Sequence, residues 1–211
     1  MLVPAGGRIA RTALKAIAAG IPGAALPAGV GFPLIIRPLD SHAGSGLSCV
    51  TTSAELGSYL QDRPEGKFDV AAFIDYRSAD GLYRKARIAF VRGRPFAVHL
   101  AVSTHWMVHY LNAEMGESAA KRREEAHFMD DFEVGFARRH QAALAEIADR
   151  VGLDYFAIDC AELLDGRLLL FEADVAMVLH TLDSAEMYPY KKPTMAKLLA
   201  AFMATLNAST C

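Results

Sequence analysis

The 211-residue sequence is poor in cysteine: Cys49, Cys160 and Cys211 are three, far apart, with no Cys-x-x-Cys pair. An odd, scattered set argues against both a disulfide framework and a zinc site, and it suits a reducing cytoplasm. No apolar run approaches the roughly 20 residues that a membrane helix needs. Charge of one sign is lacking as well. Lys and Arg number 22 against 24 Asp and Glu, a net charge of −2, so there is no general basic field for nucleic acid or an anionic membrane. There is no internal repeat and no low-complexity tract. No Gly-Lys-Ser/Thr follows a glycine loop, so there is no Walker motif, and no HExxH accompanies the histidines. No Ser-His or Cys-His arrangement suggests a covalent nucleophile.

What is present is a globular composition, 53% hydrophobic and 22% charged, long enough to bury a sizeable core as one larger or two small domains. Arg8, Arg11 and Lys15 precede an Ala-rich segment, but Gly20, Pro22, Gly23, Pro27 and Gly29 interrupt it. The better reading is a short helix from about Arg8 to Ala19 and then a loop, not a signal peptide. Strands are predicted at 32–38, 68–76, 83–91, 96–102, 155–164 and 167–176. A polar glycine-bearing loop covers 40–48, and a capped helix covers 52–61. The charged segment 119–151 reads as two helices divided near Met129–Asp131, with Asp130 or Asp131 capping the second and Gly152 ending it. A last helix, 193–206, aligns Leu198, Leu199, Phe202, Met203 and Leu206 on one face. Hairpin strands with intervening helices indicate an α+β fold.

"LLLFEADVAM" (168–177) sets Glu172 and Asp174 inside an oily run that reads as a strand. Asp165-Gly166 before it is a strong hairpin signal for a two-residue turn. That turn places Leu164 opposite Arg167, Ala161 opposite Leu170 and Asp159 opposite Glu172, with Asp174 one diagonal step away. Three carboxylates with apolar neighbours need a counter-charge, and a hard divalent cation such as Mg²⁺ supplies one. An edge hairpin with a solvated acidic face, or an arginine partner, is the alternative.

Arg37 at a strand end is followed by Gly44, Ser45 and Gly46, small residues whose N–H groups could cradle phosphate oxygens. In "YRKARIAFV", Lys85, Arg87, Ala89 and Val91 share one strand face. Arg87, mid-strand among apolar neighbours, calls for an anionic partner, whereas Arg84 and Lys85 read better as an exposed hairpin face. "HLAVSTHWMVHY" carries His99, His105 and His109 around the only tryptophan, Trp106. It reads as the lining of an acceptor pocket or as ordinary packing, ahead of a transition-metal site.

In this order, these pieces resemble the ATP-grasp superfamily of carboxylate–amine ligases, closest to glutathione-synthetase-like and ribosomal-protein glutamate ligase-like enzymes. The resemblance runs from about residue 30 to 182. Its most specific part is Asp159 followed by "DGRLLLFEAD", which looks like the family's Asp and Glu-x-Asn metal motif. It implies two α+β subdomains whose antiparallel sheets sandwich the nucleotide, with a small subdomain at 30–75 and a large one at 76–211, after an N-terminal helix and linker (1–29). It implies ATP and Mg²⁺, or Mn²⁺, as cofactors, with Asp159, Glu172 and Asp174 at the metal. Arg37 stands where a lysine usually meets the ATP phosphates, and 43–48 resembles the glycine-rich lid. "AAFIDY", with Phe73, Ile74 and Asp75, resembles the adenine-reading hinge, making Asp75 or Tyr76 a ribose contact. Arg87 resembles the arginine that steadies the transferred phosphoryl group, and Asn112 loosely matches the substrate-loop asparagine. Asp174 departs from the family's Asn. Members also carry an N-terminal domain that about thirty residues here do not replace. The expected activity is ligation of a small-molecule or peptide carboxylate to an amine through an acyl phosphate. The rival is a non-catalytic nucleotide-binding module, or a fragment lacking its N-terminal substrate domain. Expected partners are the substrates, with no nucleic acid or membrane, and either a homo-oligomer or a second protein supplying that domain.

Overall fold

The computed structural model describes residues 1–41, 44–109, 112–177, 179 and 183–208. It divides into two units, Pro4–Asp75 and the chain from Tyr76 together with Met1–Val3. Each has its own antiparallel four-stranded sheet, so the fold is α+β.

In the first unit β1 (Gly6–Ala10), α1 (Arg11–Ala18), β2 (Leu34–Pro38), β3 (Ser48–Val50), α2 (Ser53–Gln61) and β4 (Lys67–Ala72) build a sheet of order β1-β4-β2-β3. The first helix starts at Arg11 rather than Arg8, because Gly6–Ala10 extend along β4 with Arg8 opposite Asp69. Arg11 is used differently: its guanidinium donates to the carbonyls of Leu60 and Arg63 at 2.6 and 2.7 Å, capping the end of α2. The start of α2 is also capped. Thr52 accepts from the Glu55 N–H (3.2 Å) while the Glu55 carboxylate accepts from the Thr51 N–H (2.7 Å). Leu14, Leu34, Ile36, Leu56, Leu60 and Phe68 form the core of this unit. β4 stops at Ala72, short of the predicted 76, after which the Phe73 N–H turns to the Pro33 carbonyl.

The second unit comprises β5 (Tyr83–Val91), β6 (Arg94–Ser103), α3 (Ala119–Asp130), α4 (Phe136–Arg139), α5 (Gln141–Val151), β7 (Tyr155–Glu162), β8 (Leu168–Asp174) and α6 (Lys191–Ala208), with sheet order β6-β5-β7-β8. Met1–Val3 belong here because Leu2 exchanges backbone hydrogen bonds with Leu168 and Leu170. Stacked Phe90 and Phe156, with Ile88, Ile158, Leu144 and Ile147, mark its core. The predicted two-helix segment is three helices. Ser118 caps α3 by accepting from the Lys121 N–H, α4 is a single short turn, and Gly152 ends α5 in the left-handed conformation. The face of α6 also differs. Met195 and Leu198 are buried, whereas Leu199, Met203 and Leu206 are about half exposed. Among the described residues no helix is long and apolar enough to cross a membrane.

Candidate functional site

The strand registers of the second unit place four polar residues in one row across the sheet. His99 on β6 pairs with Arg87 on β5, Arg87 with Asp159 on β7, and Asp159 with Glu172 on β8. Directly opposed residues share a face, so all four side chains leave the same side. A β-bulge lies on each flank. Pairing shifts from Arg87↔His99 to Ile88↔Ala97, leaving Val98 extra, and from Cys160↔Leu170 to Asp159↔Glu172, leaving Phe171 extra. Bulges re-aim side chains, and the second one solves a sequence problem. Leu170 and Glu172 are two apart yet face opposite sides of the sheet, so leucines fill the core while Glu172 joins Asp159.

The predicted turn differs. Leu163, not Leu164, is opposed to Arg167, through an N–H to carbonyl bond of 2.9 Å, and Ala161 pairs with Leu169 rather than Leu170. Gly166 takes the positive φ of 79° that the longer loop requires. The extra loop residue shifts the register one way and the Phe171 bulge shifts it back, which restores Asp159 opposite Glu172.

Asp159 is buried, and its partners are two cations. The Arg87 guanidinium donates from Nε to Oδ1 at 2.7 Å and from its terminal nitrogen to Oδ2 at 3.0 Å. Lys85 Nζ donates to Oδ2 at 2.9 Å. Burial pushes the carboxyl pKa up, but the Arg87 and Lys85 contacts outweigh it and hold the group at about 2. Burial lowers the His109 pKa, and Lys85 and Arg87 lower it further, so this imidazole stands beside the same charges. Glu172 and Asp174 are exposed, and Asp174 accepts the Ala176 N–H at 3.0 Å in a local turn. Among the described residues no group of three or more His, Cys, Asp or Glu side chains is placed to hold a metal ion. Asp159 and Glu172 are nevertheless hard oxygen donors on directly opposed positions. That chemistry suits Mg²⁺, which commonly takes one or two carboxylates and completes its shell with phosphate and water.

Lys85, read from the sequence as part of an exposed hairpin face, is instead largely buried against Asp159. The available signal was its i, i+2 relation to Arg87, which puts both on the face that receives Asp159.

The residues predicted to meet the ATP phosphates and adenine, Arg37, Gly44, Ser45, Gly46, Phe73, Ile74 and Asp75, lie in the first unit, whereas Tyr76 and Asn112 belong to the second. Arg37 is half exposed near the end of β2, 3.6 Å from Asp69. Gly44 and Gly46 both have positive φ (76° and 68°) around Ser45, and Tyr59 donates its hydroxyl to the Gly46 carbonyl at 2.7 Å. Phe73, Ile74 and Asp75 follow β4 as irregular chain. Ala43 of the predicted lid, Tyr110 and Cys211 fall outside the described residues.

The backbone of the histidine segment is held by the side chains of Asn112 and Tyr76. The Asn112 carboxamide accepts the His109 N–H (2.8 Å) and donates to the Met107 carbonyl (3.1 Å), while Tyr76 donates to the Trp106 carbonyl. A separate cavity of about 440 Å³ lies on the opposite, helix-covered side of the sheet. Both arginines that line it are ion-paired, Arg84 with Asp80 and Glu124, and Arg139 with Glu162.

No protein-family model and no curated protein sequence matches the chain. Solved structures do. The VanG D-Ala:D-Ser ligase from Enterococcus faecalis is similar over 92% of this chain and 53% of its own, with 14% identity and a TM-score of 0.51. The D-alanine–D-alanine ligase from Bacillus anthracis is similar over 98% and 63%, with 12% identity and a TM-score of 0.47. A RimK domain ATP-grasp protein from Sphaerobacter thermophilus is similar over 90% and 58%, with 17% identity and a TM-score of 0.42. The chain thus spans a little over half the length of these structures. At such identities the likeness concerns architecture alone: the chain shares the fold of the VanG D-Ala:D-Ser ligase over 92% of its own length.

Proposed function

We propose that the chain is the ATP-binding part of an ATP- and Mg²⁺-dependent carboxylate–amine ligase that works through an acyl phosphate in the cytoplasm. The observation that carries this reading is the His99–Arg87–Asp159–Glu172 row, in a chain that shares the fold of the VanG D-Ala:D-Ser ligase. A substrate carboxylate attacks the γ-phosphorus of ATP, ADP leaves, and an amine then displaces phosphate from the acyl phosphate. Such transfers need positioning and charge neutralisation more than covalent help from the protein. Arg87 is the cation assigned to the transferred phosphoryl group, with its guanidinium already oriented by Asp159. Arg37 and the Gly44–Ser45–Gly46 turn are assigned to ATP phosphates, and Phe73, Ile74 and Asp75 to adenine and ribose. Asp159 and Glu172, with Asp174 beside them, are the residues that would hold Mg²⁺, which when bound neutralises charge on the β- and γ-phosphates.

Thermal unfolding with Mg²⁺ alone, ATP alone and both together tests the reading. A ligand at 100 times its dissociation constant adds about 2.7 kcal/mol. The expected result is a raised midpoint that needs both components and disappears in Glu172→Gln. No shift in any condition would overturn the nucleotide site.

A second reading, a nucleotide-binding module without turnover, draws support from Asp174, which adds a negative charge where the resembling family has a neutral Asn. The two readings part on one assay, since only the ligase releases ADP in a manner that depends on an added substrate carboxylate.

A further inference from the structure

We propose that Lys85 is an exchangeable counter-ion, which occupies Asp159 Oδ2 in the unloaded protein and gives way when a divalent cation enters between Asp159 and Glu172. The inference rests on the metal assignment above and adds to it a residue that controls entry.

Three observations lead to it. The first is redundancy: Arg87 alone reaches both oxygens of Asp159, so Lys85 is a second donor on Oδ2, and its departure leaves neither oxygen without a partner. The second is charge. Lys85 and Arg87, each about 15% exposed, converge on one buried carboxylate, so two cations stand close together in a poorly hydrated place. Glu172 stands opposite Asp159, and among the described residues its carboxylate forms no ion pair. A divalent ion between the two would be shared by two carboxylates, whereas the Lys85 ammonium is held by one. The third is the kind of side chain. Arginine's planar fork is fixed by its two bonds to one carboxylate, while the lysine ammonium is a point charge on a flexible stem that can swing away at little cost. Arg87 would keep Asp159 oriented throughout, and Lys85 would be the ion that leaves.

The arrangement makes metal binding in the absence of nucleotide weak, because the entering cation competes with an ammonium already in place. Removing the competitor strengthens it.

Mn²⁺ serves as the probe, with free ion followed by its electron paramagnetic resonance in the full chain. Lys85→Met is expected to bind Mn²⁺ about tenfold more tightly than the wild type when no nucleotide is present, and Lys85→Arg is not. Equal affinity in the wild type and Lys85→Met would overturn the exchange while leaving the metal assignment standing. Failure of both to bind Mn²⁺, even with ATP, would overturn the assignment and the exchange together. A second measurement needs no substitution in the observed protein. After reductive ¹³C-methylation, which keeps the charge, the Lys85 resonance (identified by its loss in Lys85→Arg) should move when Mg²⁺ is added. A resonance that stays fixed at saturating Mg²⁺ would mark Lys85 as a permanent structural partner.

Discussion

At the scale of single residues, the positive partner that the buried carboxylate requires comes from the neighbouring strand. Asp159 owes its ionised state to Arg87 and Lys85, against a burial effect that works the other way. Because its pKa in the folded chain lies below that of an unfolded aspartate, it stabilises the fold fully above about pH 4. That contribution, on the order of 2 kcal/mol, is lost as pH falls towards 2. In Asp159→Asn the two cations are left without their anion, so stability at neutral pH should drop by about 3 to 5 kcal/mol. The variant should also lose the part of the acid-dependent slope between pH 4 and 2 that Asp159 supplies. Urea midpoints measured across pH 2 to 7 for both proteins check this, and an unchanged acid slope in the variant would show that Asp159 is not the titrating group.

At the scale of elements, legibility depended on whether a signal was local. The Asp-Gly hairpin, the cap at Thr52 and the stop at Gly152 are each announced by residues in contact along the chain, and each is present. The Phe171 bulge is not announced, because nothing in "LLLFEAD" marks which residue will be squeezed out. The choice is made by the core, which takes Leu168 and Leu170, and by the partner strand, which holds Asp159. A simple two-residue turn led to the same Asp159–Glu172 pairing because two register shifts of opposite sense cancel. Strand β1 escaped for a related reason. "GGRIA" has little strand propensity of its own, and its partner β4 lies some sixty residues away in sequence. The glycine loop belongs to the legible class and can be tested as an element. A Cβ at Gly46 would meet Pro38 Cδ at 2.7 Å, at a φ of +68°. Gly46→Ala should therefore lower stability by about 1 to 2 kcal/mol, seen as a lower denaturant midpoint with an unchanged m-value. The same variant should weaken ATP binding if the turn meets phosphate. Full stability in Gly46→Ala would mean that Pro38 yields and that the turn is less fixed than its contacts indicate.

At the scale of the whole molecule, each unit has a hydrophobic core of its own, so stability is not a single number. The second core contains a polar element that no sequence motif signals, joining residues from positions 100 to 191. Glu125 on α3 is completely buried. Its carboxylate accepts the Leu100 N–H of β6 (3.2 Å) and the Tyr190 hydroxyl (2.7 Å), and it pairs with Lys191 at the start of α6 (3.2 Å). Lys191, also buried, pairs in turn with Asp183 and sits over the Tyr188 ring. The network thus fixes where the chain returns after β8 and where α6 begins. Burial raises the Glu125 pKa, and Lys191 is the largest influence opposing that rise. Lys191→Met removes the opposing charge and leaves a buried carboxylate to be ionised or protonated, so the loss at neutral pH should be about 3 to 5 kcal/mol. An acid whose folded-state pKa is raised binds its proton more tightly when folded than when unfolded. Stability therefore falls as pH rises from the unfolded value through the folded one. The penalty of Lys191→Met should accordingly be smaller at pH 5 than at pH 8, and Glu125→Gln in the same chain should remove most of that pH dependence. Denaturant titrations of the single and double variants at the two pH values decide the matter. An equal penalty at both would mean that Lys191 contributes packing alone, and that the start of α6 is fixed by its apolar contacts through Met195 and Leu198.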